Sequence, residues 1–150
     1  MNQVVHTLEV GMMNIGGGLM EFIVNNREPV YLQVVRHFKQ QIAKRLLEAG
    51  QEIPSRRELA VQFNINPNTV QKAYKEMEEQ GLITTEKNYP SKITTDVEIL
   101  KGIRNELIME AVNEFVDSIK VINVPVEELL EMVKKNYELK QTNHEEGESK

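Results

Sequence analysis

Apolar side chains recur at Tyr31, Val34, Val35, Phe38, Ile42 and Leu46 with the three-and-four spacing of one buried helical face. Pro29 stands where a first helical residue needs no amide hydrogen, and Gly50 suits a left-handed terminating residue. The pattern predicts a helix between them. Ser55 and Glu58 make a capping-box pair at the head of a second, shorter helix, with Leu59, Ala60 and Phe63 on its apolar side. Asn64-Ile65-Asn66 breaks that pattern. A third helix opens with Asn66 as cap and Pro67 in first position, buries Val70, Ala73, Tyr74 and Met77, and closes at Gly81. Two short helices joined by so tight a turn predict a helix-turn-helix, whose second helix can enter the major groove.

Residues 82–86 and 91–95 are rich in β-branched side chains and bracket Lys87-Asn88-Tyr89-Pro90, which predicts a strand, a turn and a strand. Three helices followed by a hairpin is the winged-helix order. Over residues 97–120, Leu100, Ile103, Leu107, Ala111, Phe115 and Ile119 keep helical spacing, and Ile108, Val112 and Val116 widen the stripe. Such a helix is too apolar to stand alone in water and requires the chain's own last helix or a second subunit. Asn123-Val124-Pro125 followed by Glu127 and Glu128 opens a final helix, with Leu129, Leu130, Met132 and Val133 on its apolar face. From Lys140 onward the residues are polar and read as a frayed tail.

The fold class expected is therefore mainly α with a small β-hairpin: a winged helix-turn-helix over residues 27–96, and a two-helix dimerisation appendage over 97–139. Residues 140–150 are expected to be disordered. The first 26 residues read poorly as regular structure, and they are expected to be a flexible or non-native extension. Gly16-Gly17-Gly18 is followed by Leu19 and Met20, a second credible beginning of a protein. No run approaches membrane-spanning length, and no basic region precedes an apolar stretch as in a secretory signal.

Composition changes this picture in two places. The absence of cysteine removes disulfides, thiolate catalysis and cysteine-ligated metal sites. The net charge of −5 over 150 residues argues against a nucleic-acid partner when taken whole, but it is not uniform. Residues 27–94 carry eleven Lys and Arg against eight Glu, while residues 95–150 carry seven against thirteen Asp and Glu. A basic block thus lies between acidic flanks.

The run from Pro29 to Thr94 resembles the DNA-binding domain of GntR-type transcription regulators. The matching elements are Pro29-x-Tyr31-x-Gln33-Val34, Ile53-Pro54-Ser55-x-Arg57-Glu58-Leu59-Ala60, Asn68-Thr69-Val70-x-x-Ala73-Tyr74 and Gly81-Leu82-Ile83. The short remainder is similar to the small YtrA-like subfamily. The resemblance implies a cytoplasmic, nucleoid-associated dimeric regulator, in the role of a repressor of a small transporter-type operon, with double-stranded DNA of two-fold symmetry as partner. It also implies that Arg57 touches DNA. Arg56, Lys72, Lys75 and Lys87 are candidate phosphate contacts. Asn66, Asn68 and Thr69 lie at a helix start that favours phosphate oxygens, and Asn68 or Gln71 can pair with an adenine edge. The wing departs from the family, since Lys87-Asn88-Tyr89-Pro90 stands where a Gly-x-Gly turn lets the backbone approach the minor groove. Tyr31, Phe38, Phe63 and Tyr74 have the spacing of a core.

For the appendage, Leu100, Ile103, Leu107, Ala111, Phe115, Ile119, Leu129 and Met132 are the expected dimerisation residues. So short a segment leaves little room for an ordinary small-molecule cavity inside one subunit, and an unknown effector would sit between subunits. The competing readings are a winged-helix interaction module without DNA and an enzyme. An interaction surface would show aromatic or apolar anchors on the third helix, which instead shows Asn, Thr, Gln and Lys. His6, His37 and His144 lie far apart, with no metal-ligand spacing, nucleophile elbow or phosphate loop, so no catalytic residue, metal or cofactor is expected.

Overall fold

Capping chemistry divides the middle of the chain where the sequence says it should. The computed structural model describes residues 10–15 and 18–147, and it divides the chain into two compact units with the boundary between Ile108 and Met109. In the first unit, α1 (Val30–Ala43), α2 (Arg56–Phe63) and α3 (Pro67–Glu79) are followed by β3 (Ile83–Thr84) and β4 (Lys92–Ile93). The strands pair antiparallel with Ile83 opposite Ile93 and Thr84 opposite Lys92, and Glu52 bridges to Lys92 from the segment before α2. Val34, Phe38, Leu59, Phe63, Val70, Tyr74 and Met77 are buried together as one core.

The end of α1 differs from the expected one. The helix stops at Ala43, Arg45 turns into the left-handed region at φ 59°, and the amides of Leu46 and Leu47 both donate to the Gln41 carbonyl at 2.9 and 3.2 Å. The turn shifts the apolar register by one residue, so Leu47 fills the core and Leu46 is 54% exposed. Gly50 terminates no helix; at φ 77° it turns the chain so that its amide donates to Ile93.

The N-terminal expectation is also corrected. β1 (Val10–Ile15) and β2 (Gly18–Ile23) pair antiparallel with Val10 opposite Ile23, so regular structure precedes Asn26. Residues 1–9 and the Gly16-Gly17 pair lie outside the described residues. Gly11 runs so close to the Phe63 backbone that a Cβ there would collide with it. From β2, the Phe22 ring stacks on Phe63 with centroids 4.3 Å apart, and His37 meets both edge-on at 5.3 and 5.4 Å.

α4 (Val97–Ile119) starts from Asp96, whose carboxylate accepts from the Glu98 and Ile99 amides. Its first three turns belong to the first unit. Ile103 is 3% exposed, and Ile99, Leu100 and Leu107 pack beside it on the same core. Across from them, Lys39 Nζ of α1 reaches both Glu106 carboxylate oxygens at 2.7 and 2.9 Å. Ile103 is thus part of the core of its own chain, with Leu100 and Leu107 half-buried against it.

The second unit contains the rest of α4, a 3-10 turn at Lys120–Ile122, a left-handed Asn123, and α5 (Val126–Gly147). α5 runs through the segment expected to fray from Lys140, because nothing before Gly147 interrupts it; Thr142 even bonds back to the Glu138 carbonyl at 2.8 Å. Among the described side chains of this unit none is buried. No described helix is long and apolar enough to cross a membrane.

Two predictions follow from the aromatic cluster. Replacing Phe22 by Ala should cost about 3 kcal/mol of unfolding free energy in denaturant titration, and no loss would mean that the hairpin does not contribute to the core. His37 is buried and its Nε2 has no hydrogen-bond partner among the described residues, and burial, with Lys44 adding to it, lowers its pKa to about 4. The unfolded imidazole takes up a proton near 6.5 while the folded one resists, so stability falls as pH drops through that window. Between pH 7 and 5 the chain should lose about 2 kcal/mol that a His37→Leu variant does not lose. Equal pH slopes would refute this.

Candidate nucleic-acid interface

The two helices of the helix-turn-helix are set by their first turns. The Ser55 hydroxyl accepts from the Glu58 amide at 3.3 Å, and the Ser55 amide donates to the Glu58 carboxylate at 2.8 Å. Hydrogen bonding from Ser55, its backbone amide first and its hydroxyl second, holds the Glu58 carboxyl below its ordinary range. Asn64, left-handed at φ 52°, turns the chain, and Asn66 caps α3 by accepting from the Asn68 amide at 2.8 Å. Pro67 follows at the first helical position.

On α3, Val70, Ala73, Tyr74 and Met77 face the core, and this leaves Asn68, Gln71, Lys72 and Lys75 exposed along one opposite stripe. Thr69 is half-buried and Asn66 exposed. Arg57 is exposed at the start of α2, and Lys87 at the tip between β3 and β4. Asn88 takes the left-handed conformation at φ 68° in that tip, so an asparagine does there what glycine does in the family's turn.

Three of the expected contacts have partners of their own. The Lys72 ammonium lies 4.0 Å from the centroid of the Tyr31 ring, a cation–π contact that also explains why Tyr31 is only half-buried. Lys75 lies 3.8 Å from Glu79, with its side chain 73% exposed. An exposed pair of this kind is worth about 0.3–0.5 kcal/mol, so Lys75 can exchange its partner for a phosphate.

Arg56 is held much more firmly. Its Nη2 donates to Glu78 Oε1 at 2.9 Å, and its guanidinium lies 5.2 Å from the centroid of the buried Tyr74 ring. The Tyr74 hydroxyl in turn donates to the Pro54 carbonyl; burial pushes this phenol above its ordinary range, and Arg56 partly opposes the shift. The same Glu78 oxygen accepts from Thr85 at 2.6 Å, and Thr85 shares a 2.7 Å hydrogen bond with Ser91. One carboxylate thus joins the start of α2, the last turn of α3 and both strands of the wing. Sequence reasoning missed Glu78, and because it lies twenty-two positions after Arg56 no local spacing marks it.

A family model described as "Bacterial regulatory proteins, gntR family" matches residues 30–93. The HTH-type transcriptional regulator YhcF of Bacillus subtilis is 34% identical over 107 residues, which span 71% of this chain and 88% of YhcF. The HTH-type transcriptional repressor YtrA of the same organism is 32% identical over 108 residues, spanning 71% of this chain and 82% of YtrA. Among solved structures, a GntR family transcriptional regulator from Listeria monocytogenes superposes with a TM-score of 0.69 at 28% identity, covering 75% of this chain and 98% of that one. A transcriptional regulator from Oenococcus oeni gives 0.65 at 32% identity, covering 76% and 95%. The chain belongs to the gntR family of bacterial regulatory proteins, DNA-binding regulators of transcription.

Proposed function

We propose that this protein is a homodimeric repressor that reads a two-fold operator and controls a small operon of transporter type. The observation that carries the reading is the exposed stripe Asn68, Gln71, Lys72 and Lys75 on α3, with Arg57 exposed at the head of α2. Amide side chains can pair with adenine edges, and ammonium and guanidinium groups with phosphates or guanine. Arg57, Asn66, Asn68, Thr69, Gln71, Lys72, Lys75 and Lys87 form the proposed contact set. Arg56 holds Glu78 and positions the wing instead of touching DNA. The similarity to YtrA, named as a repressor, supports the sign of regulation.

Dimerisation rests on the second unit. Phe115 is 39% exposed, Met132 61% and Val121 80%, a density of apolar surface that a soluble monomer rarely shows. Ala111, Phe115, Ile119, Leu129 and Met132 are the proposed interface, and its acidic surplus disfavours contact with DNA. Two copies then read two half-sites one helical turn apart or a multiple of it.

Electrophoretic shifts with the DNA upstream of its own gene, across a salt series, test the function. Retarded mobility at lower protein concentration than a scrambled duplex requires, weakening steeply with salt, is the expected result. Equal binding to both duplexes would overturn sequence-specific regulation. Arg57→Ala should weaken operator binding by about 1–3 kcal/mol in fluorescence anisotropy. Phe115→Glu combined with Met132→Glu should give monomers in sedimentation, and a surviving dimer would place the interface elsewhere.

A further inference from the structure

A cavity of about 360 Å³ opens between the end of α1 and the first turns of α4, entirely within the first unit. That volume lies within the roughly 300–1,000 Å³ of sites that hold small ligands. Ile42, Leu47 and Leu100 give it an apolar floor. Arg45, Lys101 and Arg104 stand at its exposed rim, against a single acid, Glu48.

These cations are scarcely engaged. Lys101 lies 3.7 Å from Glu98 in a fully exposed pair, and Arg45 and Arg104 have no ion-pair partner among the described residues. Lys101 and Arg104 depart from their local trend, since residues 95–150 are acidic overall, and Arg45 joins them from the basic block. The Arg45 backbone shapes the same region. It holds the left-handed conformation, which is unfavourable for a residue with a Cβ, and the same turn carries Leu47 into the floor.

We propose that this cavity binds a small amphipathic anion, a compact apolar body bearing one negative group. The apolar body covers Leu47 and Leu100, and the charge meets the rim arginines, which suit a planar or tetrahedral oxyanion. Because the ligand touches both α1 and α4, its binding ties the first turns of α4 more firmly to the winged helix. None of the proposed DNA contacts takes part, so the site stands or falls independently of the operator reading.

The full chain, labelled with nitrogen-15, is titrated with 1-naphthalenesulfonate, the neutral 1-naphthalenemethanol and the cationic 1-naphthylmethylammonium. The expected result is sulfonate binding about tenfold tighter than the alcohol, with amide shifts concentrated in residues 42–49 and 97–104. Arg45→Glu with Arg104→Glu changes two exposed side chains, and it should abolish this preference and favour the ammonium probe. Lys101→Glu, read in the same way, serves if the double variant fails to fold. No sulfonate binding, equal affinity for sulfonate and alcohol, shifts confined to residues 109–143, or a preference untouched by the charge reversals would each overturn the proposal.

Discussion

A phenol buried among apolar side chains must find an acceptor or lose about 1–3 kcal/mol, and Tyr74 finds the carbonyl of Pro54. This bond ties the middle of α3 to the residue just before α2 begins. Arg56, the first residue of α2, lies over the same ring and reaches Glu78 near the C-terminal end of α3. The two helices are thereby joined at two points, and the pitch of the exposed stripe on α3 relative to Arg57 is fixed. Glu78 carries the constraint onward to Thr85 and the wing. A recognition surface assembled from three separate elements needs such a frame, because misplacing one donor by an ångström forfeits a bidentate contact.

Counting charges says little about which cations can meet DNA; their partners say more. Lys39 is buried against Glu106 and Arg56 is held by Glu78 and a ring, so both contribute to the fold. Arg36 pairs with Glu28 at 2.6 Å. Lys75 and Lys92 have only long, exposed contacts at 3.8 and 3.9 Å, which solvent and salt weaken readily. The basic surplus of residues 27–94 is therefore an upper bound on what phosphates can recruit. Arg57 and Lys87, with Lys75 on α3, are the members of the proposed contact set whose charge is least engaged.

Helices α1 to α3 were legible because their signals are local: a capping box at Ser55 and Glu58, a cap and proline at Asn66-Pro67, and regular apolar spacing. What escaped was either one residue out of phase or remote in sequence. Leu46 and Leu47 are both apolar, and only the left-handed Arg45 decides which of them is buried. The first hairpin mixes glycine and methionine among its few β-branched residues, and its anchor, Phe22, finds its partners at His37 and Phe63. The Lys72–Tyr31 and Arg56–Glu78 contacts join residues that no short window contains. Among the candidate site residues, the exposed stripe could be read from periodicity, whereas the engagement of Arg56 with Glu78 could not.

The apolar stripe of α4 shows why spacing alone could not assign its residues. It runs from Leu100 to Ile119 without a break, yet Ile103 is buried in the chain's own core and Phe115 is exposed. A periodic pattern records that a face must be covered but not by what. The division has an energetic consequence. Packing the first turns of α4 overcomes the costly nucleation of a helix, and each later residue then adds to an existing helix. The exposed half of α4 is thus formed before any second copy arrives, and association need not supply the ordering free energy that a disordered segment would require. The proposed interface can therefore be a short, acidic appendage with no buried side chain among its described residues, provided its apolar face is matched closely enough to outweigh the repulsion between two like-charged copies.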